Sequence, residues 1–268
     1  MTTARQATKT AAAQSRQETS GRGGENVVIR PAQWGGIEAV AGIAHDMRAP
    51  LATITTSAEL LEGDIGADDW GQLVGVIQRQ AGRLQQMIQD LADYLNLPDR
   101  GISLRPEVLD LSELVRDVGS EFQKFRTTHR LTLELPAAAV LVRADGEKLR
   151  RVLQNLLGNA FQYAPKGSPV YARLRLPRGN RKQAIIEVED EGPGVPESAR
   201  REIFEPFVRL EGTAGSGQGL GLYIVRCLVE AHEGKVWVQP GSTGGARFSV
   251  SLPVQPQPQG EVTSLDPD

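Results

Sequence analysis

His45 is followed directly by Asp46, and Pro50 stands five residues on, inside a stretch whose apolar residues keep a helical period. A surface imidazole retains a neutral, nucleophilic fraction at cytosolic pH, and an adjacent carboxylate can orient the ring and accept its proton during attack on phosphorus. Proline within a helix kinks it and releases the carbonyl four residues back, here that of Asp46. A second group of residues lies far downstream. Asn155 and Asn159 are four apart and share a helical face, and their amide oxygens are hard, neutral ligands suited to Mg²⁺ beside phosphate. Asp190-Glu191-Gly192-Pro193-Gly194 ends an apolar strand, offering a carboxylate to an exocyclic amine and glycines that let the backbone approach a flat ring. Gly217-Gln218-Gly219-Leu220-Gly221-Leu222 opens a helix and presents unpaired amides and a positive dipole end to phosphates. Each feature alone also has an ordinary reading: a solvated histidine, two surface asparagines, a strand-end turn, a glycine loop.

The elements that must position these groups follow from hydrophobic periodicity. Ile37, Ala44, Leu51 and Ala58 form one line of a heptad, and Val40, Met47, Ile54 and Leu61 the other. A second series runs through Trp70, Ile77, Leu84 and Leu91, flanked by Val74, Ala81, Ile88 and Leu95. The glycines and aspartates from Gly63 to Asp69 break and recap the chain between them. This predicts a helical hairpin with a seam on each arm, and pairing two hairpins into a four-helix bundle would bury both seams, so a homodimer is expected. His45 follows seam position Ala44 by one residue, about 100° around the helix, and should face outward. Beyond Asn96 to Gly101 the pattern changes. Helices are expected over Leu111–Phe125, opened by Asp110, from Asp145 to about Tyr163, and from about Gly219 to His232. Strands are expected at Leu131–Leu135, Ala139–Val142, Val170–Leu176, Ala184–Asp190, Val236–Gln239 and Arg247–Leu252. The fold class is therefore α+β: a helical hairpin forming a dimeric four-helix bundle, then an α/β sandwich with helices on one face of a mixed sheet. The boundaries drawn are a disordered tail at 1–32, the hairpin at 33–97, a second domain at 102–253, and a disordered tail at 254–268.

With 30 Lys and Arg against 33 Asp and Glu, the chain lacks the basic excess of a nucleic-acid binder. A single cysteine, Cys227, excludes an internal disulfide and reads as a small buried hydrophobe. No apolar run reaches the ~20 residues that span a bilayer, so a cytosolic protein without direct membrane insertion is expected. Arg173, Arg175, Arg178, Arg181 and Lys182 read as a solvated turn, and His129 and His232 as surface or helix-end histidines.

Together the motifs carry a family resemblance. His45-Asp46-Met47-Arg48-Ala49-Pro50-Leu51 resembles the phosphoacceptor box of bacterial two-component sensor histidine kinases. The Asn155–Ala160, Asp190–Gly194, Phe204–Phe207 and Gly217–Leu222 blocks, in that order, look like the N, G1, F and G2 boxes of the Bergerat-type ATPase domain of the same family. The resemblance implies a kinase that uses Mg-ATP to phosphorylate His45, assisted by Asp46, and passes the phosphoryl group to an aspartate of a response-regulator receiver domain. It also implies that Asp190 binds the adenine amine within the Gly192 and Gly194 turn, that Asn159 holds Mg²⁺ with Asn155 nearby, and that Tyr163 lies by the ribose. Gly217, Gly219 and Gly221 would form the hinge of a mobile ATP lid and touch the phosphates, with Leu220 among the nucleotide-binding residues and Arg209 at a basic lid position. Three positions depart from the pattern: Ala49 replaces a threonine, Gln162 a lysine that would contact phosphate, and Ala246 the threonine of a closing Gly-Thr-x-Phe strand, a change expected to be nearly neutral. The alternative is a nucleotide-binding signalling scaffold that regulates a partner without phosphotransfer. Asn155 stands where gyrase-type and chaperone-type relatives carry the glutamate that activates water, which disfavours hydrolysis as the main activity.

Overall fold

The structure, a computed structural model, describes residues 36–63, 66–100, 102–125, 129–177, 182–210 and 218–255. Two long helices open it, α1 (Gly36–Leu61) and α2 (Ala67–Arg100), which pack along one another as the predicted hairpin. One line of the seam, Met47, Ile54 and Leu61, lies where expected, and the other is shifted by one residue. Ile43, Pro50 and Ser57 are buried, with Met47, Ile54 and Leu61 half-buried beside them, a 4-3-4-3-4 spacing that keeps one face toward α2. Ala44, Leu51 and Ala58 instead point away from α2, and Leu51 is 55% exposed. On α2, Met87 is buried, whereas Trp70, Ile88 and Leu95 are exposed. The hairpin thus satisfies one seam internally and leaves a second apolar stripe uncovered.

The segment after α2 enters a two-stranded antiparallel sheet, β1 (Glu107–Asp110) with β3 (Leu141–Ala144). Sequence periodicity did not reveal β1, since Glu107-Val108-Leu109-Asp110 becomes a strand only by pairing with β3. Helix α3 (Leu111–Phe125) follows at once, its Ser112 N–H bonded to Asp110 at 2.9 Å. The main sheet has the order β2-β4-β5-β7-β6, from β2 (Arg130–Glu134), β4 (Pro169–Arg175), β5 (Gln183–Glu189), β6 (Lys235–Pro240) and β7 (Ala246–Pro253). Only β2 and β4 pair in parallel, so the sheet is mixed as expected. Helices α3, α4 (Gly146–Tyr163) and α5 (Gly221–Ala231) cover one face.

Alternation decides what each face does. Val170, Ala172 and Leu174 of β4 and Ala184, Ile186 and Val188 of β5 are buried beneath the helices, against Leu149, Leu153, Leu156 and Leu157 of α4. Each fully buried leucine of this kind contributes about 1.5–3 kcal/mol. The opposite face carries charge. Arg173 donates to Glu134 at 2.9 Å and to Glu189 at 2.6 Å, and Arg175 donates to Glu187 at 2.9 Å. Arg173 is therefore a mostly buried strand residue, not part of a solvated turn; Arg178 and Arg181 lie outside the described residues. His129 is buried rather than at the surface, and His232 stands at a helix end as read but is buried as well. Nε2 of His129 donates to the Ala164 carbonyl at 3.2 Å. His232, at the C-cap of α5, accepts the Asp145 N–H at 3.0 Å through Nε2 and donates through Nδ1 to the Leu228 carbonyl at 2.7 Å. Cys227 is half-buried, and burial pushes its thiol pKa up.

Candidate nucleotide and phosphoacceptor sites

Asp145 fixes the start of α4. Its Oδ1 accepts the Lys148 N–H at 3.1 Å as the helix N-cap, and its Oδ2 accepts the Arg105 N–H at 2.9 Å. The far half of α4 then carries Asn155, Asn159 and Tyr163 toward the ends of β5 and α5. Beyond β5, Asp190 is 3% exposed. Its Oδ1 accepts the Gly192 N–H at 2.7 Å and the Ala246 N–H at 3.4 Å, while Oδ2 receives no hydrogen bond among the described residues. Burial raises the carboxyl pKa, although the two amides oppose this. With Oδ1 so held, Oδ2 is left to accept from a ligand donor, and an exocyclic amine is such a donor.

Close backbone approach explains the glycine at 192. A Cβ there would lie 2.8 Å from Asp190 Oδ1 and 2.9 Å from the Tyr163 carbonyl, so a side chain would push the turn off the end of α4. Gly194, at φ 73°, completes that turn. The loop before α5 is equally constrained. Gly219 has φ 72°, and a Cβ there would meet the Phe207 carbonyl carbon and the Val208 oxygen, both at 2.7 Å. Its carbonyl accepts the Phe207 N–H at 3.0 Å, which ties the two ends of the 208–218 stretch together. Arg226 of α5 grips Glu205 with both guanidinium nitrogens, at 2.5 and 3.1 Å. A Cβ on Gly221 would lie 3.1 Å from Asn155 Oδ1, so the first turn of α5, with its unpaired amides, starts against that asparagine.

Three polar atoms here are buried without a partner: Nδ2 of Asn155 and both Oε1 and Nε2 of Gln218. Gln218 is 8% exposed. The sequence reading took the glycines of this block and passed over Gln218; the signal was a two-donor carboxamide set among glycines where a small residue would suffice. Leu220 corrects that reading in the other direction. At 0% exposure its side chain belongs to the core, and only its backbone can face a ligand. Gln162 is exposed, and Gly217 lies outside the described residues. Tyr163 is half-buried, its hydroxyl pKa raised by burial and opposed by the nearby Arg209.

On the hairpin, His45 is exposed as its phase predicted. Its Nδ1 accepts from Arg48 Nη1 at 3.2 Å, one helical turn on. Asp46 acts electrostatically on Arg83 of α2. The ring contact in this conformation is thus Arg48.

Residues 37–97 match the family model for the His Kinase A (phospho-acceptor) domain, and residues 144–256 that for the histidine kinase-, DNA gyrase B- and HSP90-like ATPase. The chain is 37% identical over 222 residues to sensor histidine kinase TmoS of Ectopseudomonas mendocina, covering 80% of this chain and 22% of that protein. It is 32% identical over 235 residues to the adaptive-response sensory kinase SasA of a Nostoc strain, covering 81% and 57% respectively. The chain therefore spans about three-fifths or less of these relatives. Among solved structures, full-length ShkA in complex with AMPPNP matches with a TM-score of 0.57 at 27% identity, over 82% of this chain and 46% of that one. An exposed histidine on a two-helix hairpin, followed by a sheet-and-helix domain whose buried aspartate and glycine loop suit a nucleotide, matches both domain models in the same order, and on these grounds the chain belongs to the two-component sensor histidine kinases.

Proposed function

We propose that this chain autophosphorylates His45 from Mg-ATP and hands the phosphoryl group to a receiver-domain aspartate. The phosphoacceptor hairpin would occupy 33–97 and the catalytic domain 102–253. The observation that carries the reading is Asp190, a carboxylate 3% exposed at a glycine-built turn, whose Oδ1 is held by two backbone amides so that Oδ2 is left for a ligand donor. It fits the adenine amine, while the first turn of α5 fits the phosphates. Partnerless carboxamides on Asn155 and Gln218 flank that turn, and with Asn159 they are the residues to hold Mg²⁺ and the phosphate oxygens. Bound there, the metal ion would neutralise charge on the triphosphate. A ring nitrogen of His45 forms the new bond to the γ-phosphorus as the bond to the β–γ bridging oxygen breaks. ADP leaves with that electron pair, and the ring proton passes to Asp46 or to water.

No described helix is long and apolar enough to cross a membrane. These domains belong on the cytoplasmic side, where ATP is supplied. The exposed apolar side chains of Leu51, Leu60, Trp70, Ile88 and Leu95 on the hairpin support a homodimer, since pairing two hairpins would bury them. The deciding test incubates the purified chain and His45→Gln with γ-labelled Mg-ATP. Acid-labile, base-stable label confined to the unsubstituted chain is expected, and equal labelling of the two proteins removes His45 as the acceptor.

A further inference from the structure

Among the described residues, a charged cluster and an aromatic one join the ATPase domain to the hairpin of the same chain. Arg151 of α4 reaches across to Asp90 of α2, with Asp93 at 3.5 Å, and the three side chains retain only 15%, 13% and 24% of their exposure. Gln86 donates to the same Asp90 oxygen at 2.8 Å. Burial raises the Asp90 carboxyl pKa to about 6 against the pull of Arg151, so this pair adds little net stability. What a desolvated pair does supply is orientation, because either partner left alone would be a buried charge. One turn along α2, Tyr94 packs edge-on against Phe207 at 5.0 Å and Tyr223 at 5.9 Å. Phe207 and Tyr223 stand on opposite sides of the 208–218 stretch, so both of its ends rest on α2.

The register of the hairpin shows where this seat leads. His45 lies sixteen residues before the end of α1 at Leu61, and Arg83 sixteen residues after the start of α2 at Ala67. At 1.5 Å per residue both stand about 24 Å from the turn, on one level. Arg83 also joins the two domains electrostatically: burial lowers its pKa, Asp46 opposes this, and Arg209 of the ATPase domain adds to it. Arg209 in turn acts on Tyr163 at the end of α4. Electrostatic interactions thus run from Tyr163 to Arg209, from Arg209 to Arg83 and from Arg83 to Asp46, which adjoins His45, all within one chain. Two guanidinium groups drawn together repel each other, and a triphosphate arriving between them would relieve that repulsion.

We infer that the ATPase domain phosphorylates His45 of its own chain, seated for it by Arg151, Asp90 and Tyr94, with Arg83 facing the transferred phosphoryl group. This rests on the autophosphorylation reading. Arg151, Asp90 and Tyr94 are positioning residues, since none touches the reacting atoms. The seat can also be vacated. A cavity of about 510 Å³ remains between the domains, lined by Gln89, Asp93, Lys148, Arg150, Ile224 and Leu228, so the interface lacks the close packing of a permanent one. Departure of the ATPase domain then clears His45 for a receiver domain.

Mixed dimers test the inference. His45→Gln, which keeps the nucleotide site, is combined with a size-tagged Asp190→Asn chain, which keeps the acceptor; Asn159→Ala replaces the latter if it folds poorly. Subunit exchange is verified through the tag before γ-labelled Mg-ATP is added. Label on neither chain, beside a labelled unsubstituted control, is the expected result. Label on the tagged, nucleotide-deficient chain overturns transfer within the chain. Loss of label from the unsubstituted control is a different result and strikes at autophosphorylation itself. In parallel, Arg151→Glu should slow labelling at saturating ATP by roughly ten- to a hundredfold with unchanged ATP affinity and folding, as misplacement of reacting groups does. Adding Asp90→Arg should recover part of that rate. An unaltered rate in Arg151→Glu overturns the seat.

Discussion

Glu189 is 2% exposed on the outer face of the sheet, and the fold supplies it with an unusual number of donors. The Ser242 N–H reaches it at 2.6 Å and the Ser242 hydroxyl also donates, while Arg173 and Arg247 contribute at 2.6 and 3.0 Å. Burial alone would push the carboxyl pKa up, but these donors outweigh it and hold it down to about 2 from an ordinary 4.5. A depressed folded value means that the stabilisation is fully present above about pH 4.5 and is lost as pH falls through 2. The shift of about 2.5 units corresponds to an upper bound of roughly 3 kcal/mol. Glu189→Gln keeps the shape, removes the charge and leaves two arginines facing a neutral amide. Urea unfolding of the whole chain at pH 7 should show a loss of about 2–3 kcal/mol, a thermal midpoint lower by roughly 5–10 °C. The gap between the two proteins should narrow by about 1 kcal/mol from pH 5 to pH 3.5, because over that range the unfolded parent takes up a proton that the folded parent, still ionised, does not. A gap under about 0.5 kcal/mol at pH 7, or one that widens on acidification, would refute the argument that this charge is a net stabiliser.

Gly219→Ala places a Cβ 2.7 Å from the Phe207 carbonyl carbon at a left-handed φ of 72°. It should cost about 1–2 kcal/mol in backbone strain and weaken ATP binding measured by calorimetry; unchanged affinity would show that this loop does not shape the cleft. His232→Phe leaves the Asp145 N–H and the Leu228 carbonyl without their partners, and a loss of about 2–4 kcal/mol is expected in denaturant unfolding, with a loss below about 1 kcal/mol counting against the buried-histidine account.

Most of the element order was legible because period and caps agree. Asp145 announced α4 and does cap it, and strict alternation marked β4 and β5. The hairpin was legible as a hairpin, yet its inner line was not. Ala44, Leu51 and Ala58 read as seam since they are apolar, whereas Pro50 and Ser57, which are buried, carry no apolar signal. An apolar residue records that something covers it, not which neighbour does so. The buried histidines escaped notice because their partners lie far off in sequence: Ala164 is 35 residues from His129, and Asp145 is 87 from His232. At the nucleotide cleft the glycines were readable from spacing, while the roles of Leu220 and Gln218 depend on which side chain the loop turns inward.

The hydrogen bond from the Arg105 amide to Asp145 sets a mechanical limit. It pins the chain leaving the hairpin onto the cap of α4, so only five peptide steps separate that anchor from Arg100, the last residue of α2. At about 3.3–3.6 Å per step the leash extends at most ~18 Å. The ATPase domain is confined to swivelling about the foot of its own hairpin, and whatever approaches the exposed His45 must work within the gap that so short a tether opens.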